Sequence, residues 1–223
     1  MFNDSISTAA LRRLPLYLQY LLEIRPGKHE FVSAARMATA LGIHHTLVRQ
    51  DLDVVGAKGF PKKGHPLEET IAAIETYFQW NSRPSAFILG AGNLARVLIG
   101  YRQFDRAGVD LLAAFDQDSR KVGTSIFGIE VLSVTKFVDL VRRMHVAIVI
   151  LTLPPSAAEE SVKLITESGV AAVWNFMPAT LQFPDRVVVE NVNLFAGLSI
   201  LKKKLTESLN RKEPANEHGN GST

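Results

Sequence analysis

The stretch from Ala86 to Ala95 limits what this chain can fold into more than any other. Four apolar residues, Ala86-Phe87-Ile88-Leu89, run directly into Gly90-Ala91-Gly92-Asn93-Leu94-Ala95. A short unbroken apolar run ending in glycine reads as a strand buried on both faces. The helix-like residues Leu94 to Phe104 follow it. The G-x-G-x-x-A spacing needs a strand, a tight turn at Gly90, close approach of backbone to a pyrophosphate at Gly92, and a small residue, Ala95, where helix meets sheet. The same alternation continues downstream. A strand spans Leu111 to Phe115 and ends at Asp116, Phe127 to Leu132 forms a strand or hairpin, and a helix covers Lys136 to Met144. The all-apolar strand Val146 to Leu151, helix Ala157 to Ser168 with its stop at Gly169, and strand Ala171 to Asn175 complete the set. Such an order specifies the α/β class: a Rossmann-like parallel sheet covered on both faces.

Chemistry in this half gathers at the strand ends. Free N–H groups and the partial positive charge of a helix N-terminus suit phosphates. Asp116 lies 24 residues beyond Gly92, close to the spacing of a carboxylate that grips adenosine ribose hydroxyls. A carboxylate there disfavours a 2′-phosphate, so NAD(H) is the expected cofactor. Arg120 and Lys121 keep the opposite reading open, as ligands of a phosphate, and a glycine turn without any nucleotide is a third. Thr152 and Pro154 end one strand and Asn175 and Phe176 the next, which places them on the nicotinamide side of the crevice. Phe176 serves equally well as a cap on the core.

The N-terminal part has a different texture. Leu11, Leu14, Leu18, Leu21 and Leu22 recur at threes and fours and give a first helix one apolar face, stopped by Pro26-Gly27. Ser33 is an N-cap for a helix over Ala34 to Leu41. Gly42 permits a sharp turn, and a third helix runs from about His44 to Val54. Met37, Leu41, Ile43, Val48 and Leu52 point inward, which is the pattern of a helix-turn-helix. The last helix then offers His44, His45, Thr46, Arg49 and Gln50 to solvent, all types suited to base edges and phosphates. Gly56 to Gly64, with Lys58, Lys62 and Lys63, reads as a basic hairpin or wing. A helix from Leu67 to Phe78 and a break at Asn81-Ser82-Arg83-Pro84 close this part. A small helical subdomain with a charged face is the alternative reading.

Charge distribution favours a polyanionic partner at this end. The chain is +3 overall, yet six basic residues face three acidic ones between Lys28 and Gly64, against ten to eleven from Ala86 to Leu201. Lys202-Lys203-Lys204 holds the rest of the excess. There is no cysteine, which excludes disulfides, thiolate metal sites and cysteine nucleophiles. The six histidines are scattered apart from His44 and His45, and adjacent helical side chains do not converge on a metal. No run approaches the roughly 18 residues of a membrane span, and the N-terminus lacks a signal-peptide pattern. A cytoplasmic protein with no metal and no membrane partner is expected.

Five stretches taken together resemble the Rex family of redox-sensing transcriptional repressors: Leu47-Val48-Arg49-Gln50-Asp51-Leu52, Gly90 to Ala95, Ala113-Ala114-Phe115-Asp116, Trp174-Asn175-Phe176-Met177-Pro178 and Val189-Glu190-Asn191-Val192-Asn193-Leu194. The resemblance runs from about Leu11 to Leu205. It implies a winged helix-turn-helix over 1–82, a Rossmann domain over 83–190, a dimerisation helix over 191–207 that swaps onto a second copy, and a disordered tail over 208–223. Val192, Leu194, Phe195, Leu198 and Leu201 would supply the helix's apolar face. It further implies double-stranded operator DNA as partner, release of that DNA on NADH binding, and a place for Tyr101 near the nicotinamide.

Departures from the family pattern are specific. The recognition helix reads Arg49-Gln50-Asp51-Leu52 where the family has arginine-lysine-aspartate-leucine, and the wing carries Phe60-Pro61-Lys62-Lys63-Gly64-His65-Pro66. The family's arginine on the first helix and aspartate before the swapped helix align with Gln19 and Asn193, both neutral. Loss of that charge pair implies altered discrimination between NADH and NAD⁺. Two rival functions stand beside this one. One is a nicotinamide dehydrogenase, for which Tyr101 is the only plausible acid or base, since His145 falls at the wrong edge of the sheet. The other is a regulator whose Rossmann domain answers to a different ligand.

Overall fold

The computed structural model describes residues 6–27, 29–79, 82–101 and 103–210. Lys28, Asn81 and residues 211–223 of the expected tail lie outside this set. The chain divides into two compact units, one of residues up to Arg83 together with Arg106–Val109, the other of Pro84–Asp105 and the remainder from Asp110.

The first unit is built on helix α1 (Thr8–Ile24), a two-residue strand β1 (Phe31–Val32), helices α2 (Ala34–Leu41) and α3 (His45–Val54), strand β2 (His65–Pro66) and helix α4 (Leu67–Tyr77). Leu14, Leu18 and Leu21 of α1 are fully buried with Met37, Val48, Leu52 and Ile74, while Leu11 and Leu22 are only half-buried. Their places in the innermost row are taken by Ala10 and Tyr17. Ser33 caps α2 by accepting the Arg36 N–H at 3.1 Å, and Gly42 ends it in the left-handed conformation. β1 and β2 pair antiparallel, Val32 opposite His65, and fix the base of the wing.

The second unit is a seven-stranded sheet in the order β5-β6-β4-β3-β7-β8-β9. Its strands are β3 (Ser85–Leu89), β4 (Asp110–Asp116), β5 (Ser125–Ile126), β6 (Ile129–Ser133), β7 (Ile148–Leu151), β8 (Ala172–Asn175) and β9 (Val188–Asn191). All neighbours are parallel except the β5–β6 hairpin. Helices α5 (Asn93–Gly100), α6 (Phe137–Arg143), α7 (Ala158–Ser168) and α8 (Ala196–Asn210) accompany them. Phe87, Phe115 and Phe137 meet at centroid separations of 4.8, 5.3 and 6.5 Å inside the core. The chain leaves β3 for β4 on one side and returns to β7 on the other, so the strand order reverses at β3, where α/β sheets open a crevice.

Three boundaries correct the sequence expectations. The helix after the glycine turn ends at Gly100, four residues short of Phe104. The C-terminal helix starts at Ala196 instead of Asn191, because Val188–Asn191 joins the sheet edge as β9 and Asn193 accepts the Phe195 N–H at 3.0 Å, which turns the chain into α8. That helix continues through Ser208–Asn210, inside the span expected to be a disordered tail. Among the described residues no helix is long and apolar enough to cross a membrane.

Candidate dinucleotide crevice and nucleic-acid interface

At the reversal of strand order the turn Gly90–Gly92 is held from three sides. Gly90 donates to the Phe115 carbonyl at 2.8 Å, and Thr152 Oγ1 donates to the Gly90 carbonyl at 2.7 Å. Ala91 N–H donates to Asp116 Oδ2 at 2.9 Å. Gly90 has φ +106°, and a Cβ there would lie 3.0 Å from the Leu153 side chain and 3.1 Å from the Thr152 carbonyl, so a larger residue is strained and pushes its neighbours apart. Gly92 differs. It caps α5 at φ −91°, and a Cβ on it would touch nothing within 4 Å. The first turn of α5, Asn93 and Leu94, therefore aims its unpaired N–H groups into open space, the requirement for a pyrophosphate. Ala95 is fully buried beneath.

Two cavities flank this turn. The smaller, of about 160 Å³, lies at the end of β4 between Leu89, Phe115, Asp116, Gln117 and Leu153. The larger, of about 650 Å³, lies at the ends of β7 and β8 and is lined by Leu94, Thr152, Phe176, Pro178, Asn193 and Phe195. Leu153 and Pro154 border both.

Not every expected site residue faces these spaces. Asn175 is 1% exposed. Its amide donates to Asn191 Oδ1 at 2.8 Å and its oxygen accepts the Met177 N–H at 2.9 Å, so it shapes the loop that carries Phe176. Phe176 is buried against Trp174, ring centroids 4.5 Å apart. Tyr101 stands 69% exposed at the C-cap of α5 and lines neither cavity. Asp116 accepts three hydrogen bonds within the protein. Oδ2 takes Ala91 N–H and the Lys121 ammonium at 2.7 Å, while Oδ1 takes Asp118 N–H at 2.9 Å. Burial pushes this carboxyl up, but Lys121 and the two N–H groups hold it below the usual range. Arg120 pairs with Asp118 at 2.7 Å and holds its carboxyl near 2. Lys121 was legible in the sequence only as a possible phosphate ligand; here it neutralises Asp116.

In the first unit a groove of about 580 Å³ runs between the N-terminus of α2, the exposed face of α3 and the hairpin after it. Ser33, His45, Arg49, Lys62 and Lys63 line it. Thr46 and Gln50 are exposed on α3 and Lys58 on the hairpin. His44 is the N-cap of α3, its Nδ1 3.4 Å from Thr46 N–H. The wing tip closes by a Phe60–Gly64 bridge, with Phe31 edge-on to Phe60 and Lys63 Nζ 5.6 Å above the Phe31 ring. Gly64 sits at φ +94° with the Val32 carbonyl 2.5 Å from where a Cβ would be, so the wing needs glycine there.

Sequence reading missed the clamp that fixes α3. Asp51 is 4% exposed and accepts two hydrogen bonds from Arg13, at 2.7 and 2.8 Å, and one from Tyr17 at 2.7 Å. The bond and charge of Asp51 raise the Arg13 guanidinium further, and burial together with Asp51 pushes the Tyr17 hydroxyl up. The available signal was the spacing. Asp51 lies on the same helical face as Val48, Leu52 and Val55, and Arg13 and Tyr17 are four residues apart on α1. Of the neutral pair, Gln19 is exposed and donates to Glu23 at 3.0 Å, while Asn193 borders the larger cavity.

A winged helix-turn-helix joined to a doubly wound sheet with an open phosphate turn defines a class of protein, the ligand-responsive transcription regulators. Comparison with known proteins agrees in both halves: residues 5–53 match the family described as "Putative DNA-binding protein N-terminus" and residues 81–179 match "CoA binding domain". The redox-sensing transcriptional repressor Rex of Treponema denticola is 37% identical over 192 residues, 86% of this chain and 91% of its own. That of Clostridioides difficile is 32% identical over 92% of this chain and 98% of its own. The solved structure of RSP, a Rex-family repressor, in complex with NADH superposes with TM-score 0.84 at 30% identity, covering 94% of this chain and 98% of its own. RSP with NAD⁺ and operator DNA gives 0.81 at 30% identity, covering 96% and 99%. The chain belongs to the Rex family of redox-sensing transcriptional repressors.

Proposed function

We propose that this chain represses transcription by gripping operator DNA with its N-terminal unit and lets go, or holds on, according to whether NADH or NAD⁺ fills its Rossmann crevice. The observation that carries this reading is the open space before Gly92 at the first turn of α5. It is supported by the relative RSP, which has been solved with NADH and with NAD⁺ plus operator DNA. Gly90 to Ala95 cradle the pyrophosphate through backbone N–H groups. The small cavity takes the adenosine side, with Asp116 acting through Ala91 and Lys121. Thr152, Pro154 and Phe176 border the nicotinamide side, Asn175 shapes the loop behind them, and Tyr101, at the C-cap of α5, lines neither cavity of the single chain. In the other unit His44, His45, Thr46, Arg49 and Gln50 read the major groove, while Ser33, Lys58, Lys62 and Lys63 hold phosphates.

The working form is a homodimer in the cytoplasm, joined through α8 and the turn before it, where Leu194 and Phe195 of the turn and Leu198, Leu201 and Leu205 of the helix are all more than half exposed in the single chain. No hydride-transfer enzyme is proposed: His145 lies before the N-terminal end of β7, away from the crevice, and Tyr101 lines neither cavity. With Gln19 and Asn193 both uncharged, discrimination between NADH and NAD⁺ is weaker than a charge-paired sensor would give. A mobility shift against the chain's own upstream region, with each nucleotide in turn, tests the proposal. A retarded band lost with NADH is expected. Equal binding of that duplex and random competitor under every condition would sink the reading. Titration calorimetry tests the second point, and a preference for NADH of several hundredfold would refute it.

A further inference from the structure

Two histidines sit side by side where α3 begins. Their rings are 4.6 Å apart and inclined by 33°, and both side chains are exposed. His44 uses Nδ1 to accept the Thr46 N–H, which requires that nitrogen to be unprotonated. His45 opens into the groove between α3 and the wing. On its own helix it has Arg49 one turn away and Asp53 two turns away. Across the groove stand Lys62 and Lys63, with His65 in the wall donating from Nδ1 to the Ala57 carbonyl at 3.1 Å. The residues of the α2 start that close the groove, Ser33, Ala34 and Ala35, carry no charge.

The surroundings of the pair, Asp53 apart, are positive. The helix N-terminus is the positive end of its dipole, three cations share the groove, and a second imidazolium would stack on the first. A polyanion laid in the groove reverses this balance, because phosphate oxygens are the acceptors an imidazolium N–H seeks. Imidazole is also the side chain whose charge ordinarily changes near physiological pH.

We infer that His45, with His44 stacked on it, takes up a proton from solvent when the operator binds, so that the grip of this repressor tightens as pH falls. The inference rests on the proposed DNA-binding role of α3. The sign follows from linkage: a group that holds its proton more firmly in the complex adds affinity that is complete below the free-protein titration and lost as pH rises through that of the complex. One proton gained strengthens binding by at most about tenfold per pH unit within that window. Two are not expected, because His44 must surrender its cap and the stacked charges repel. The gained phosphate contact also steepens the salt dependence of log K by about 0.9.

The experiment uses the full chain and a fluorescent duplex that the chain itself enriches from a random pool. Anisotropy titrations run from about pH 8 to about pH 6 at constant ionic strength, across the range in which imidazole titrates. Wild type should tighten about three- to tenfold per unit below neutrality. His45→Gln should lose most of this slope, while His29→Gln, a histidine outside the groove, should keep it. His44→Asn retains a good N-cap and should lose a smaller part. A flat wild-type profile overturns the inference, and so does a slope unchanged in the His44→Asn/His45→Gln double variant. A pool that never enriches any sequence at any pH is a different result: it removes the repressor reading, and this inference with it.

Discussion

Arg13 is the most exacting place to test the account of the N-terminal unit. Its guanidinium makes two hydrogen bonds to Asp51, and the two side chains are 21% and 5% exposed. Replacing Arg13 with Met keeps much of the stem but leaves a buried carboxylate with the Tyr17 hydroxyl alone. Breaking a buried pair from one side costs about 3–5 kcal/mol, and the part of Arg13 that reaches water argues for the lower end, about 3 kcal/mol. That is roughly a hundredfold in a local opening constant. Hydrogen exchange of the α3 amides reads this quantity directly. Protection along α3 should fall about a hundredfold, while β3, β7 and β8 in the other unit keep theirs. A second variant separates charge from packing. Arg13→Met with Asp51→Leu removes both charges and should recover most of the loss, since an ion pair replaced by apolar residues of similar size is often close to neutral. An Arg13→Met protein protected within about twofold of wild type would refute the clamp. So would a double variant no better than the single one.

Four further outcomes follow from the crevice and the C-terminal helix. Gly90→Ala should destabilise the sheet unit by about 1–3 kcal/mol in thermal denaturation, because of its φ of +106° and the Leu153 and Thr152 contacts. Gly92→Val should instead melt as wild type does, lose NADH fluorescence enhancement altogether and keep its DNA affinity, since the new side chain fills only the space before α5. The Asp116 carboxyl is held below its ordinary range, so its stabilising effect is present above that range and lost as pH falls through the folded-state titration. Lys121→Met should move this acid loss of stability, followed by thermal denaturation across pH, to higher pH, and an unshifted profile would contradict the pairing. Leu201→Glu, on the exposed face of α8, should convert a dimer to monomers in sedimentation velocity without changing the melting of the sheet unit.

Much of the architecture was legible because it is dictated locally. An apolar run with no polar interruption must be covered on both faces. Gly90 makes a turn at positive φ that other residues rarely adopt, and Ser33 and Gly42 start and stop α2 by contacts within a few residues. Those features gave the alternating strands, the phosphate turn and the helix-turn-helix, with boundaries off by a few residues where helices fray.

What the sequence could not supply depends on residues far apart in the chain. Val188–Asn191 has no periodicity of its own and becomes a strand only because β8 offers a free edge, with Glu190 opposite Trp174; pairing decided it, and pairing is not local. Asp116 is spaced like a ribose ligand, and that spacing did not show that it also accepts from Lys121 and the Ala91 and Asp118 N–H groups, partners that a largely buried carboxylate needs. Asn175 turns inward for the same reason. Asp51 reads as a surface charge on a recognition helix until α1 packs across it and brings Arg13 and Tyr17. Hydrogen bonds between neighbours and steric limits on the backbone are written in the order of residues. The partners of buried polar groups are chosen only when distant elements meet.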